Sequence, residues 1–285
     1  MERGATSKLL RLLHSVYTSP GVRVQAGAAA AAQEETSLSQ GGEQIPRAAE
    51  DSVASVSLPP SESQVSTISP WEEAYARFET PEQERRKFVG RLRRLGAPAW
   101  TSDAQIVELF CGRGNGMQAL AELGFTRVEG VDLSPTLIAQ YQGTARTYVA
   151  DCRALPFADE SRDILIVQGG LHHLESLPAD LEQTLSEARR VLRPGGRFVA
   201  VEPWATPFLS LVHTISSIPL ACRLSNKIDA FATMTRYELR TYEQWLDAGR
   251  SILQILDSNF SRERCWTGWG KLMFVGTTRT TAGRS

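Results

Sequence analysis

From Ala104 onward, short apolar runs alternate with amphipathic stretches. The runs Ile106 to Phe110, Arg127 to Val131, Arg146 to Val149, Ile164 to Val167 and Arg197 to Val201 read as strands. Between them, segments near Asn115 to Leu123, Pro135 to Tyr141 and Leu181 to Leu192 carry apolar residues at helical spacing. Strand, helix, strand at this spacing predicts a parallel sheet covered on both faces. Leu192-Arg193-Pro194-Gly195-Gly196 supplies a stop and turn before the fifth strand. The C-terminal pattern differs: a helix from Tyr242 to Leu256 precedes Phe260 to Trp266 and Lys271 to Thr277, two strand-like runs joined by a tight turn at Gly268 to Gly270. The predicted class is therefore α/β, a doubly wound and mostly parallel sheet with an antiparallel C-terminal strand.

Upstream, a helix is expected over Pro81 to Leu95, its basic residues Arg85, Arg86, Lys87, Arg91, Arg93 and Arg94 solvated while Phe88, Leu92 and Leu95 pack inward. Residues 1–68 are rich in Ala, Ser, Gln, Glu and Pro with little periodicity, and are expected to form a disordered leader. Within it, Leu9, Leu12, Leu13 and Val16 share one face of a short amphipathic helix, which reads as a targeting peptide, a membrane-touching helix or a helix that merely frays. The expected boundaries are 69–280 for one domain, with a cap helix in 69–100 and a lid in 203–241, and a disordered tail over 281–285. No apolar run reaches the ~20 residues of a membrane span. The expected location is cytoplasmic, with an organellar alternative through the leader.

The 285 residues, 42% hydrophobic and 22% charged, have the composition of an ordinary soluble globular protein. A net charge of −1 offers no general attraction to nucleic acid or anionic membrane. The four cysteines, Cys111, Cys152, Cys222 and Cys265, are scattered without zinc-type spacing, so reduced thiols are expected and no metal.

Chemistry concentrates in VELFCGRGNG, residues 107–116, where three glycines follow the first strand. Glycines here allow positive φ and let a ligand lie against bare backbone at a helix N-terminus. The dinucleotide fingerprint wants a small third residue where Met117 stands, and no GK[ST] follows for a P-loop. The glycine loop alone leaves the ligand open.

Several motifs in order carry more. VELFCGRGNG, GVDLS with Asp132, VADCRALPF with Asp151, RDILIVQGGLHHL and EARRVLRPGGRFVAVEP together resemble the class I S-adenosylmethionine-dependent methyltransferases, in particular the type 11 small-molecule group, over Ile106 to Pro203. The resemblance implies a Rossmann-like sheet and S-adenosylmethionine as cofactor. It further implies that Asp132, with Leu133 beside it, holds the ribose, that Asp151 and the backbone of Cys152 meet the adenine, and that Gly112, Gly114 and Gly116 face the methionine moiety. Carbonyls near Gln168 would receive the ammonium, steadied by Glu108. Read without the resemblance, Asp132 is a helix N-terminal residue and Asp151 a turn acid. Phe110 stands where many relatives carry Gly, and Arg162, where Phe is commoner, is expected to face solvent.

In such a fold the acceptor meets the cofactor at the ends of strands four and five. Glu202 is the favoured general base there and His173 the runner-up, while Trp204, His213 and Tyr237 are expected to shape the acceptor pocket. A D/N-P-P-Y-type base-flipping motif is replaced by Gln168-Gly169-Gly170-Leu171, which counts against nucleic acid as substrate. The leading expectation is an enzyme acting on a small-molecule acceptor by in-line methyl transfer. A non-catalytic cofactor-binding partner module and a nicotinamide oxidoreductase are the alternatives. Oligomeric state is not readable.

Overall fold

A computed structural model describes residues 70–279. The expected leader, its amphipathic helix and the 281–285 tail lie outside the described residues.

Two helices come first, α1 (Pro70–Phe78) and α2 (Pro81–Leu95). Thr80 and Gln83 form a reciprocal capping box at the start of α2, Pro81 fills the first turn, and Gly96 at φ 103° closes its end. The doubly wound unit follows as β1 (Ile106–Leu109), α3 (Asn115–Glu122), β2 (Val128–Asp132), α4 (Pro135–Ile138), β3 (Arg146–Val149), β4 (Arg162–Gln168), α5 (Ala179–Val191) and β5 (Leu192–Pro203). A one-turn 3-10 segment, Leu171–His173, follows β4. The 203–241 segment carries α6 (Pro207–Ser216), α7 (Pro219–Leu224) and α8 (Asn226–Tyr237), and α9 (Leu239–Asp247), α10 (Gly249–Asn259), β6 (Ser261–Gly268) and β7 (Lys271–Thr277) follow.

The seven strands form one sheet in the order β3-β2-β1-β4-β5-β7-β6. β1 to β5 pair in parallel, and β7 runs antiparallel to both of its neighbours. All four residues of β1 are buried, as a central parallel strand requires. Alternation sends Val107 and Leu109 to a core layer with Leu185, Phe198 and Trp245, and Ile106 to a second layer with Phe88, Leu92 and Leu120. No helix among the described residues is long and apolar enough to cross a membrane.

Four expectations change. The Leu192–Gly196 turn does not precede β5 but interrupts it: pairing shifts from Arg162 with Leu192 to Ile164 with Arg197, with Gly195 at φ 77°. Arg162 does not face solvent, because its guanidinium pairs with Glu129 at 2.7 Å and lies 4.1 Å from the Phe157 ring centre. The single helix expected over Tyr242 to Leu256 breaks at Ala248, which ends α9 and precedes α10, and the Trp204 ring packs against Gly249 at the break. Finally, α2 is not basic only toward water: Arg91 is buried, and the Lys87 ammonium pairs with Glu79 in a largely buried setting.

Candidate active site

The C-terminal ends of β1, β2 and β4 open into a cavity of about 860 Å³. Its donor-side floor contains Glu108, Gly112, Asp132, Leu133, Asp151, Cys152 and Gln168, seven of the nine residues expected there. Gly112 sits at φ 52°, and a side chain there would find its nearest neighbour, Leu137 Cδ1, at 3.9 Å, so the backbone lies open to a ligand. Gly114 and Gly116 do not line the cavity. A Cβ at Gly114 would strike the Tyr141 ring at 2.2 Å, and one at Gly116 the Glu108 carboxylate at 1.8 Å, so these glycines make room for protein side chains.

Asp132 ends β2 with one oxygen accepting from the Gly112 N–H (2.7 Å) and the other from the Ser134 N–H (2.8 Å). The carboxylate is thereby fixed, and each oxygen keeps a lone pair for a further donor. Glu108 is 3% exposed, and burial pushes its carboxyl up to about 8. Its Oε1 receives a long 3.4 Å contact from Gln168, while Glu108 Oε2 and Gln168 Oε1 are buried with no hydrogen-bond partner among the described residues. Two adjacent orphaned acceptors call for a donor from outside the protein. An ammonium group satisfies that requirement, the fixed Asp132 oxygens suit a vicinal diol, and the bare Gly112 backbone accommodates a close approach. The residues therefore fit S-adenosylmethionine.

Asp151 is more heavily committed than expected. Arg153 bridges it (2.7 Å) to Asp180 (2.8 Å), and that hydrogen bonding holds the Asp151 carboxyl below its ordinary range. Its Oδ1 accepts the Arg153 backbone N–H (2.8 Å) and Nε (3.0 Å), and its Oδ2 accepts Arg153 Nη2 at 2.7 Å. The Cys152 thiol turns inward to Thr184 at 3.5 Å, and burial pushes it up to about 11.

Glu202, expected as general base, is 2% exposed. One oxygen accepts from the Gly170 and Leu171 N–H groups, both at 2.9 Å, and the other pairs with His172 Nδ1 at 2.8 Å. Three of its acceptor positions fold the 3-10 turn after β4 and hold His172. Glu202 and His173 both line the cavity. Trp204, His213 and Tyr237 do not line it. Trp204 packs on Gly249, Tyr237 is exposed, and His213 stands behind Tyr242, 3.2 Å from its hydroxyl.

The far wall comes from residues that sequence reading missed. Trp71, Tyr75 and Phe78 arrive from α1, and Phe231, Met234, Thr235, Glu238 and Tyr242 from α8 and α9. The second group has i, i+3, i+4, i+7, i+11 spacing, a helical stripe that was available in the sequence. The two walls meet through an Arg77–Asp229 pair at 2.7 Å and a Phe78–Phe231 contact at 6.2 Å between ring centres. Lys87, Arg91 and Lys271 line one corner, where burial, reinforced by the two neighbouring cations, pushes Lys271 down to about 5. Buried Glu84 ties this cap to the glycine loop, accepting from Asn115 Nδ2 at 2.7 Å and from the Tyr75 hydroxyl.

A family described as a methyltransferase domain matches residues 107–200. The chain is 30% identical over 129 residues, 41% of its length and 48% of the relative's, to a ubiquinone/menaquinone biosynthesis C-methyltransferase of Geobacter sulfurreducens. It is 30% identical over 143 residues, 44% of its length and 56% of the relative's, to an EEF1A lysine methyltransferase 4 of Mus musculus. The chain thus spans about half the length of the curated relatives it matches. The crystal structure of the PH0226 protein from Pyrococcus horikoshii shares the fold with a TM-score of 0.55 at 19% identity, covering 75% of this chain and all of that one. Both acceptor-side walls fall outside the matched segment. Motif order and the match over 107–200 together identify that segment as a methyltransferase domain, set in a Rossmann-like, mostly parallel sheet.

Proposed function

We propose that the protein transfers a methyl group to a small, partly apolar acceptor held between α1 and the α8–α9 wall. The observation that carries this reading is the pair of buried, unpartnered acceptors on Glu108 and Gln168 beside the fixed Asp132 carboxylate. Bound S-adenosylmethionine supplies an electrophilic sulfonium methyl open to in-line displacement. The chain's own contribution is to hold the donor's polar groups with Glu108, Asp132, Asp151 and Gln168, to stack the exposed Leu133 against its base, and to exclude water with aromatic walls. Glu202 holds the turn that carries His172 and His173, and His173 with Glu238 supplies the polar end of the acceptor half. The relatives' printed acceptors differ, a quinone precursor carbon and a lysine, so we take the aromatic lining as the guide to substrate class and place a planar, ring-bearing acceptor first.

Calorimetry with S-adenosylhomocysteine tests the donor half. Asp132→Ala loses two charge-assisted hydrogen bonds, a cost of about 2–4 kcal/mol in binding. Unchanged affinity removes the assignment. A metabolite-extract screen with labelled methyl donor tests turnover, and tight cofactor binding with no product from any extract favours the non-catalytic module instead.

A further inference from the structure

The polar end of the acceptor half has the ingredients of a metal centre. His172, His173 and Glu238 each present a ligand atom to the cavity, and these atoms lie within 4.8 Å of one another. His172 Nε2 stands 3.7 Å from one Glu238 oxygen and His173 Nδ1 3.8 Å from the other. Both separations exceed hydrogen-bond reach. A tetrahedral ion bound at ~2.0–2.1 Å sets its ligands about 3.4 Å apart, so the two His–Glu238 separations need to close by only about 0.3–0.4 Å.

A second, independent observation concerns orientation. His172 Nδ1 meets the buried Glu202 carboxylate at 2.8 Å, and a carboxylate can only accept, so Nδ1 carries the proton and Nε2 is the nitrogen left for the cavity. This carboxylate–histidine pairing is the outer-shell arrangement that fixes the tautomer and raises the basicity of a ligating imidazole. The same Glu202 accepts the Gly170 and Leu171 N–H groups, anchoring the turn on which both histidines sit. Their rings lie side by side, 4.1 Å between centres and tilted by 35°, which directs both toward Glu238.

We propose that His172 Nε2, His173 Nδ1 and Glu238 bind one first-row divalent cation, with Zn²⁺ the best match. Two imidazoles and one carboxylate suit zinc, whereas Mg²⁺ and Ca²⁺ demand oxygen-rich shells. Three protein ligands leave a position facing the cavity, where an acceptor oxygen would be oriented and its proton made easier to lose. The cysteine spacing gave no hint of this site because it uses none of the cysteines. Cation binding does not depend on the methyl-transfer reading, and the two can fail separately.

The test uses the full chain stripped with chelator. Titration with Zn²⁺ should show one site, and Co²⁺ loading should give visible d–d bands of a four- or five-coordinate centre. Glu238→Gln and His173→Asn should each weaken Zn²⁺ binding at least tenfold, and Glu202→Gln by 10–100-fold without touching a ligand. Because Glu202→Gln also loosens the turn, the cavity-facing His173→Asn variant decides the matter if that protein unfolds. Absence of a Co²⁺ band, or Zn²⁺ affinity unchanged in both Glu238→Gln and His173→Asn, overturns the proposal. Retained S-adenosylhomocysteine binding in those same variants shows that the donor site stands regardless.

Discussion

At Glu108 a single buried carboxyl links proton release to ligand binding. Its upward shift to about 8 comes first from burial, so in the ligand-free protein it is mostly protonated at neutral pH. An incoming ammonium stabilises the ionised form, and binding then releases a proton. S-adenosylhomocysteine affinity should therefore rise with pH from about 6 toward 8, above which Glu108 is already ionised in the free protein. Glu108→Gln should bind more weakly and flatten that slope, and calorimetry in buffers of different ionisation heat reads the released proton directly. For stability the sign is opposite. A carboxyl raised above its unfolded value stabilises fully below about 4.5, and that contribution is lost as pH rises through about 8. Nearby, Phe110 holds φ 56°, which explains why glycine is common at this point of the fold and costs the phenylalanine about 1 kcal/mol. Its ring fills the space beside Gly170, where a Cβ would approach to 2.2 Å. Gly170→Ala should cost about 1–3 kcal/mol in urea unfolding and much less in a Phe110→Gly background. Additive costs would separate the two positions.

Among the elements, the 3-10 turn after β4 depends most on one side chain. Glu202→Gln keeps an oxygen for Gly170 and Leu171 but sets an amide N–H against His172 Nδ1–H. We expect a loss of about 1–3 kcal/mol by denaturant titration, with S-adenosylhomocysteine affinity nearly intact because the donor groups sit on other strands. Equal losses in both would mean that the turn and the donor floor move as one. The elements themselves were unevenly legible. β1 to β5 and the C-terminal hairpin could be read because a buried parallel strand is an unbroken apolar run and Gly268 to Gly270 marks a tight turn. The donor residues followed, since Asp132, Asp151 and Gln168 fall at strand ends or in the turns just after them. The acceptor wall did not, because Phe231, Met234, Glu238 and Tyr242 form a stripe only when α8 and α9 are counted as one interrupted helix. Glu202 was legible as an acid at the end of a buried strand, but its hold on the turn after β4 was not. Its partners are backbone N–H groups more than thirty residues away, and no pattern of side chains announces them.

In the whole molecule, the side chains assigned to the donor lie between Glu108 and Gln168, and their brace, Glu84 to Asn115, lies in the same described unit. A chain beginning at Ser69 should therefore bind S-adenosylhomocysteine with unchanged affinity, and a truncated protein that fails to bind would place part of the donor site in the leader. The acceptor walls are built differently. They come from one helix before the sheet and two between β5 and β6, locked to each other by Arg77–Asp229 and Phe78–Phe231 and contributing no strand. Altering Tyr75, Phe231 or Met234 leaves the central register untouched. On the reading proposed above, two peripheral segments can therefore be rewritten to change the acceptor while the groups that hold the methyl donor stay in place.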